Sequence, residues 1–139
     1  MKVLVIDDEK NIRDLLKRYL ALEGIEVSTA ENGLSGKRLL QEKVFDACIL
    51  DLRMPGLDGL ELLRWIKAEA ASIPVLIISA HGGVTDAVKA MKIGAEDYIV
   101  KPFDPEELLL RLNKLVEENA LKIGYDLGRR ERGQGPEIT

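Results

Sequence analysis

The chain has 139 residues, of which 46% are hydrophobic and 32% charged, and its formal net charge is -4 at pH 7. These values are typical of one globular domain. The acidic balance argues against a domain that binds a nucleic-acid backbone by itself, because such domains present a basic face. The single cysteine, Cys48, excludes an intrachain disulfide. Met1 leads directly into a short apolar run, and no run approaches the ~18 residues of a membrane span. We therefore expect a cytoplasmic protein without a membrane contact.

Short apolar runs alternate with helical patterns along most of the chain. Strands are predicted near 2–7, 25–29, 46–51, 74–79 and 97–101. Helices are predicted near 9–23, 34–43, 59–70 and 84–93, and a fifth begins at 104–107. This alternation is typical of a parallel sheet with helices on both faces. Right-handed crossovers with a reversal at strand 1 then give an α/β, flavodoxin-like (βα)5 three-layer sandwich with strand order 2-1-3-4-5.

Apolar residues at helical spacing predict the inward face of each helix. The residues concerned are Ile12, Leu15, Leu16, Tyr19 and Leu20 in helix 1; Leu62, Leu63 and Ile66 in helix 3; Val84, Ala87, Val88 and Met91 in helix 4; and Leu108, Leu112, Leu115 and Val116 in helix 5. Gly24 and Gly94 are predicted to end helices 1 and 4, and Asp58 and Asp104 to cap helices 3 and 5.

The helical pattern decays from about residue 120. The segment beyond it contains several glycines, Pro136 and the basic cluster 129–132. We therefore predict a domain over 1–119, followed over 120–139 by a helix extension and a flexible linker or tail. A solvated linker is a better explanation of the basic cluster than contact with nucleic acid.

Polar side chains stand where four of the predicted strands end. Asp7 and Asp8 stand at the end of strand 1, Asp51 ends strand 3, Ser79 ends strand 4 and Lys101 ends strand 5. Because the carboxyl ends of parallel strands meet at one edge, where ligands bind, we expect these residues to share one pocket. The pocket should lie at the switch point between strands 1 and 3.

Three of these side chains are carboxylates, which suit a hard cation. Mg²⁺ is usually bound by one or two carboxylates together with water and phosphate oxygens. We predict Asp8 and Asp51 as direct ligands, Asp7 as a ligand through water, and the backbone carbonyl of Arg53 as a further ligand. Without a cation, at least one carboxyl pKa should be raised. The alternative for Asp8 is a simple cap of helix 1.

Asp51 is the candidate nucleophile. A carboxylate can attack phosphorus to form an aspartyl phosphate, while the surrounding groups position it and neutralise charge. Lys101 is predicted to pair with Asp51 at rest and with a phosphoryl oxygen afterwards, and the Ser79 hydroxyl to bind the same anion. The Lys101–Pro102 bond is a candidate cis peptide.

The loop over 52–59 and the only histidine, His81, lie close to these strand ends in the sequence. Pro55-Gly56 is a turn signal that brings backbone near the pocket. A hydrolase triad on His81 is disfavoured, because the chain has no Gly-x-Ser-x-Gly elbow. The expected role of His81 is peripheral: it packs, faces solvent, or influences the access of water to a phosphoryl group.

Over residues 2 to about 119 the chain resembles the response-regulator receiver domain of bacterial two-component signalling. The resemblance rests on the motifs Val-Ile-Asp-Asp-Glu (5–9), Ala-Glu-Asn-Gly (30–33), Leu-Asp-Leu-Arg-Met-Pro-Gly-Leu-Asp-Gly (50–59), Ser-Ala-His-Gly (79–82), Gly-Ala-Glu-Asp-Tyr (94–98) and Val-Lys-Pro-Phe (100–103). In that family the Lys-Pro bond is usually cis.

The resemblance implies a function for each matched position. Asp51 would accept a phosphoryl group from a sensor histidine kinase, with Mg²⁺ held by Asp7, Asp8 and the Arg53 carbonyl. Lys101 and Ser79 would bind the phosphoryl group, and Tyr98 would be the switch aromatic. Arg53 and His81 would flank the phosphoryl group and tune its loss. The domain would not be an enzyme that acts on other substrates, and it would catalyse only its own phosphorylation and dephosphorylation.

Helix 4, strand 5 and helix 5 would form the face that controls an output domain, a partner or a homodimer, with transcription regulation as the expected outcome. Residues 79–95 resemble receivers of σ54-dependent activators with an AAA+ domain, the NtrC-like class. Residues 107–111 partly match the winged-helix class, so both output types stay open.

Two other readings compete with a working receiver. A metal-dependent enzyme of the Toprim or haloacid-dehalogenase type would need an Asp-x-Asp pair, which neither the Asp7 nor the Asp51 strand end supplies. A pseudo-receiver that takes no phosphate is disfavoured by the intact set of Asp51, Ser79 and Lys101.

Overall fold

The structure is a computed structural model that describes residues 1–54, 58–80 and 84–134. Strands and helices alternate along it. The strands are β1 (Lys2–Ile6), β2 (Glu26–Ala30), β3 (Ala47–Asp51), β4 (Val75–Ser79) and β5 (Asp97–Val100). The helices are α1 (Lys10–Leu22), α2 (Gly33–Glu42), α3 (Gly59–Glu69), α4 (Val84–Ile93) and α5 (Pro105–Gln134).

The five strands form one parallel sheet in the order β2-β1-β3-β4-β5. This order confirms the predicted flavodoxin-like topology. Successive strand residues face opposite sides of a sheet, and in β1 Leu4 and Ile6 pack toward α2, α3 and α4, while Val3 and Val5 pack toward α1 and α5. Because both faces are covered, β3 and β4 are buried along their whole length.

The predicted helix ends agree with the local geometry. Gly24 and Gly94 have positive φ values of 80° and 131°, which residues other than glycine rarely adopt. Asp58 Oδ1 accepts a hydrogen bond from the Leu60 N–H at 3.1 Å. Asp104 Oδ1 accepts one from the Glu106 N–H at 2.9 Å. Each cap satisfies a backbone donor that has no partner within its helix.

The inward face of α4 differs from the prediction. Val84, Val88 and Met91 are exposed by 60%, 47% and 38%, whereas Ala87 and Ala90 are buried. The helix therefore contacts the rest of the domain through its small residues, and its branched residues remain on the surface. Leu15 of α1 is likewise exposed, unlike Leu16 and Leu20, which are fully buried as predicted.

The backbone of α5 stays helical to Gln134, well beyond the decay of the sequence pattern near residue 120. Arginine, glutamate and leucine between the glycines are good helix formers, which favours this continuation. None of the helices in the described part of the chain combines the length and the apolar character needed to cross a bilayer.

Candidate functional site

The strand ends meet at one edge of the sheet, as predicted. Ile6 of β1 is in register with Leu50 of β3, so that Asp7 and Asp51 come next at the same edge. The exposed fractions of Asp7, Asp51 and Ser79 are 0%, 3% and 3%. These three are the buried polar residues of the described part of the chain. Burying carboxylates is costly unless other groups compensate their charge.

An acidic cluster lies at this edge. Asp7, Asp8, Glu9 and Asp51 each offer a carboxylate oxygen, and these oxygens all lie within 4.8 Å of one another. The alternative role of Asp8, a simple cap of helix α1, is wrong, because Asp8 is exposed and the N-cap residue of α1 is Glu9. Glu9 was not predicted as a site residue. Its signal in the sequence is its place directly after the Asp-Asp pair.

Lys101 brings a positive charge into the cluster. Its Nζ lies 2.6 Å from Glu9 Oε1, 3.0 Å from Asp7 Oδ2 and 3.3 Å from Asp51 Oδ2. The side chain of Lys101 is only 14% exposed, and the Lys101–Pro102 peptide bond is cis. The predicted contact with Asp51 is therefore present, but the shortest contact is with Glu9.

Backbone groups orient two of the carboxylates. The Arg53 N–H donates to Asp51 Oδ1 at 3.1 Å, and the Glu9 N–H donates to Asp7 Oδ1 at 2.8 Å. Arg13 Nη1 donates to the Asp7 carbonyl oxygen at 2.8 Å, which ties α1 to the end of β1. One oxygen of each buried aspartate is thus held by an N–H, and the other faces the Lys101 ammonium.

The electrostatic balance of the cluster raises several pKa values. Burial raises the pKa of Asp51 to about 6, an effect that the Arg53 N–H opposes and the Asp7 charge reinforces. Burial also raises the pKa of Asp7. Burial opposes the charge on Lys101, but its contacts with Glu9, Asp7 and Asp51 outweigh that effect and raise the pKa of Lys101. A raised carboxyl pKa was predicted, but burial contributes more to it than repulsion does.

Two buried oxygens at the edge make no hydrogen bond with the described residues. They are Ser79 Oγ and Asp7 Oδ2, the latter in ion-pair contact with Lys101 but without a directed hydrogen bond. Buried polar atoms normally have a partner. Clustered carboxylate oxygens fit a hydrated hard cation. A buried hydroxyl that has no partner among the described residues, at the edge where Lys101 also lies, fits an anion.

The remaining predicted positions lie outside the pocket or outside the described residues. Tyr98 is in β5 with 36% of its surface exposed, and Asp58 caps α3. His81 and the turn residues Pro55 and Gly56 fall outside the described residues. The ligand role of the Arg53 carbonyl stays a prediction.

Comparison with known proteins decides the family. A family model described as the response regulator receiver domain matches residues 3–113. The chain belongs to this family. The receiver fold predicted from the strand order and the receiver resemblance predicted from the motifs are both confirmed.

Several relatives of the receiver domain are similar over most of its length. Protein PetR of Rhodobacter capsulatus is 36% identical over 145 residues, which cover 96% of this chain and 61% of the relative. Response regulator MprA of Mycobacterium sp. (strain KMS) is 36% identical over 126 residues, covering 91% and 55%. The chain thus spans little more than half the length of these curated relatives.

A solved structure provides a match of similar size. The receiver domain of NtrX from Brucella abortus is 39% identical, with a TM-score of 0.80 over 83% of this chain and 98% of that one. In the longer NtrX structure with ADP the match covers only 29% of that chain, with a TM-score of 0.87. The part shared with NtrX is therefore its receiver domain.

Proposed function

We propose that this receiver domain accepts a phosphoryl group on Asp51 from a sensor histidine kinase, with Mg²⁺ bound at the acidic cluster. The observation that carries the proposal is the burial of Asp51 between the cluster and Lys101, 3.3 Å away. A carboxylate with only a structural role gains little from burial beside other carboxylates and a lysine. A phosphate acceptor needs charged neighbours, because the negative charge of the phosphoryl group must be neutralised as Asp51 attacks phosphorus.

The residues of the pocket have complementary roles in this reaction. An oxygen of Asp51 forms the bond to phosphorus while the phosphorus–nitrogen bond of the kinase's phosphohistidine breaks, and the electron pair leaves with the imidazole. The Arg53 N–H fixes the orientation of the Asp51 carboxylate. Lys101 holds a phosphoryl oxygen, and the Ser79 hydroxyl, which lacks a partner among the described residues, is available to bind another.

The acidic residues are the proposed Mg²⁺ ligands. Asp8, Asp51 and the Arg53 carbonyl would bind the ion directly, and Asp7 through water. The ion supplies positive charge that offsets the phosphoryl oxygens. Glu9 belongs to the same cluster and holds Lys101 at 2.6 Å. The domain acts on no other substrate in this proposal and catalyses only its own phosphorylation and dephosphorylation.

Phosphorylation would be transmitted through α4, β5 and α5. Ser79 moves toward the phosphoryl group, Tyr98 turns inward, and the population shifts between two packings. The exposure of Val84, Val88 and Leu110 on α4 and α5 supports this face as the surface for an output domain or a homodimer. Regulation of transcription through an AAA+ or DNA-binding output domain is the proposed consequence, with no nucleic acid bound by the receiver itself.

The proposal is tested by intact mass spectrometry after incubation with acetyl phosphate. Wild type should gain one phosphoryl group only when Mg²⁺ is present, and Asp51→Asn should gain none. Glu42→Gln removes an exposed carboxylate at the C-terminal end of α2, a helix that begins on the side of the strand ends and runs away from it, so this matched control should behave as wild type. Equal labelling of wild type and Asp51→Asn would overturn the assignment. No labelling of wild type by acetyl phosphate or candidate kinases would favour a pseudo-receiver.

A further inference from the structure

Arg53 connects the pocket to helix α4. Its backbone N–H donates to Asp51 Oδ1 at 3.1 Å, while its guanidinium Nη2 lies 3.4 Å from Asp86 Oδ2. Asp86 stands in the first turn of α4 and is separated from Arg53 by 33 positions along the chain. One residue thus contacts both the proposed phosphate acceptor and the helix that leads to the proposed output face.

The contact between Arg53 and Asp86 is suited to being broken. Their side chains are 65% and 32% exposed, and a single nitrogen–oxygen pair joins them at 3.4 Å. Such solvent-exposed pairs contribute little to stability. An arginine makes shorter, often bidentate contacts with a phosphate group, which carries more charge than a carboxylate.

A second cationic side chain, that of Lys89, lies on α4 near Asp86. Arg53, Asp86 and Lys89 line a cavity of about 480 Å³ between the end of β3 and α4, together with Asp58. Lys89 follows Asp86 by three positions on α4, a spacing at which helical side chains are neighbours. Asp86 therefore has a cation nearby when Arg53 departs.

We propose that Arg53 exchanges partners, pairing with Asp86 when Asp51 is free and with the phosphoryl oxygens when Asp51 is phosphorylated. The exchange releases the first turn of α4 from the loop after β3. Arg53 then couples the pocket to α4 through the different contact that its guanidinium makes in each state. This inference rests on the proposed function, because it requires a phosphoryl group on Asp51.

The exchange makes Asp86 a competitor for Arg53. Removal of the Asp86 charge should strengthen the binding of a phosphoryl group, because Arg53 no longer gives up a contact. Removal of the Arg53 guanidinium should weaken it. In a chain that lacks the guanidinium, the Asp86 charge should have little further effect, so the two substitutions are expected to be strongly non-additive.

The test is a double-mutant cycle on the affinity for beryllofluoride, a phosphoryl mimic, titrated in the presence of Mg²⁺. Asp86→Asn should tighten binding by up to about fivefold, the upper range for an exposed pair. Arg53→Ala should weaken binding, Arg53→Lys should weaken it less, and Arg53→Ala/Asp86→Asn should match Arg53→Ala. In the Arg53→Ala background, Asp86→Asn also shows how much the loss of the Asp86 charge changes the affinity without Arg53.

The outcomes separate this inference from the proposed function. If Asp86→Asn changes the affinity by the same factor in both backgrounds, Asp86 acts only through its long-range charge, and the exchange is refuted while the receiver function stands. If wild type binds no beryllofluoride, the proposed function fails and the exchange with it. Amide hydrogen exchange gives a second readout: beryllofluoride and Asp86→Asn should each increase exchange of the α4 amides whose hydrogen bonds run to the carbonyls of the first turn. Unchanged exchange under both would contradict the release of that turn.

Discussion

The charge on Asp51 should destabilise the domain when no metal is bound, and Asp51→Asn should relieve this. The amide retains an oxygen to accept the Arg53 N–H, but it cannot ionise in the buried pocket. The pKa of Asp51 is raised from 3.8 to about 6. Since one pKa unit corresponds to about 1.4 kcal/mol, the ionised carboxylate costs the folded state about 3 kcal/mol.

The sign of the pH dependence follows from the direction of the shift. A raised folded-state pKa gives stability that is fully present below the unfolded value of 3.8 and is lost as the pH rises through about 6. Asp51→Asn should therefore exceed wild type in stability by about 3 kcal/mol at pH 7.5, and the difference should shrink toward pH 4. Mg²⁺ should narrow this difference, because its binding through the carboxylate would stabilise wild type.

The assay is urea unfolding followed by circular dichroism between pH 4 and pH 8, with a chelator and then with Mg²⁺. Glu42→Gln, which removes an exposed charge, should show no comparable gain. An Asp51→Asn protein that is no more stable than wild type at pH 7.5 would refute the reasoning. A gain of equal size at all pH values would also refute it, because it would not depend on the ionisation of Asp51.

Three further predictions address packing and signal transmission. Gly59→Ala would place a methyl group 2.5 Å from the Leu52 carbonyl oxygen. Urea unfolding should therefore show that the free energy of unfolding falls by at least about 2 kcal/mol. An unchanged free energy would contradict the close approach of α3 to Leu52. Glu96→Ala removes the acceptor that the Val75 N–H contacts at 2.7 Å, and the same assay should show a loss of about 2 kcal/mol that Glu96→Gln partly restores. Tyr98→Ala should still be phosphorylated but should lose phosphorylation-dependent self-association in sedimentation experiments; normal association would count against its role as a switch.

The sequence predicted the fold and the convergence of the strand ends because both depend on local patterns and one topological rule. Apolar runs located the strands, and the parallel order brought Asp7, Asp51 and Lys101 to one edge. Contacts that depend on side-chain reach were predicted only in part: the contact of Lys101 with Asp51 was predicted, and its shorter contact with Glu9 was not. Lys101 and Glu9 lie 92 positions apart, and no local pattern indicates that they pair.

The packing of α4 shows a different limit of pattern-based prediction. Valine and methionine outrank alanine in hydrophobicity, so the pattern favoured Val84, Val88 and Met91 as the buried face. The helix instead approaches closely through Ala87 and Ala90, which are buried because small side chains permit that approach. Which face of a helix is buried depends on the space left by its neighbours, and the sequence of the helix alone does not contain that information.

The central claim, that Asp51 carries the phosphoryl group, is tested most directly by reductive trapping. Borohydride converts an aspartyl phosphate to homoserine, and peptide mass spectrometry then locates the modified position. After incubation with acetyl phosphate and Mg²⁺, homoserine should appear at position 51 alone. Homoserine at position 7 or 8, or a stable phosphate ester on Ser79, would contradict the claim.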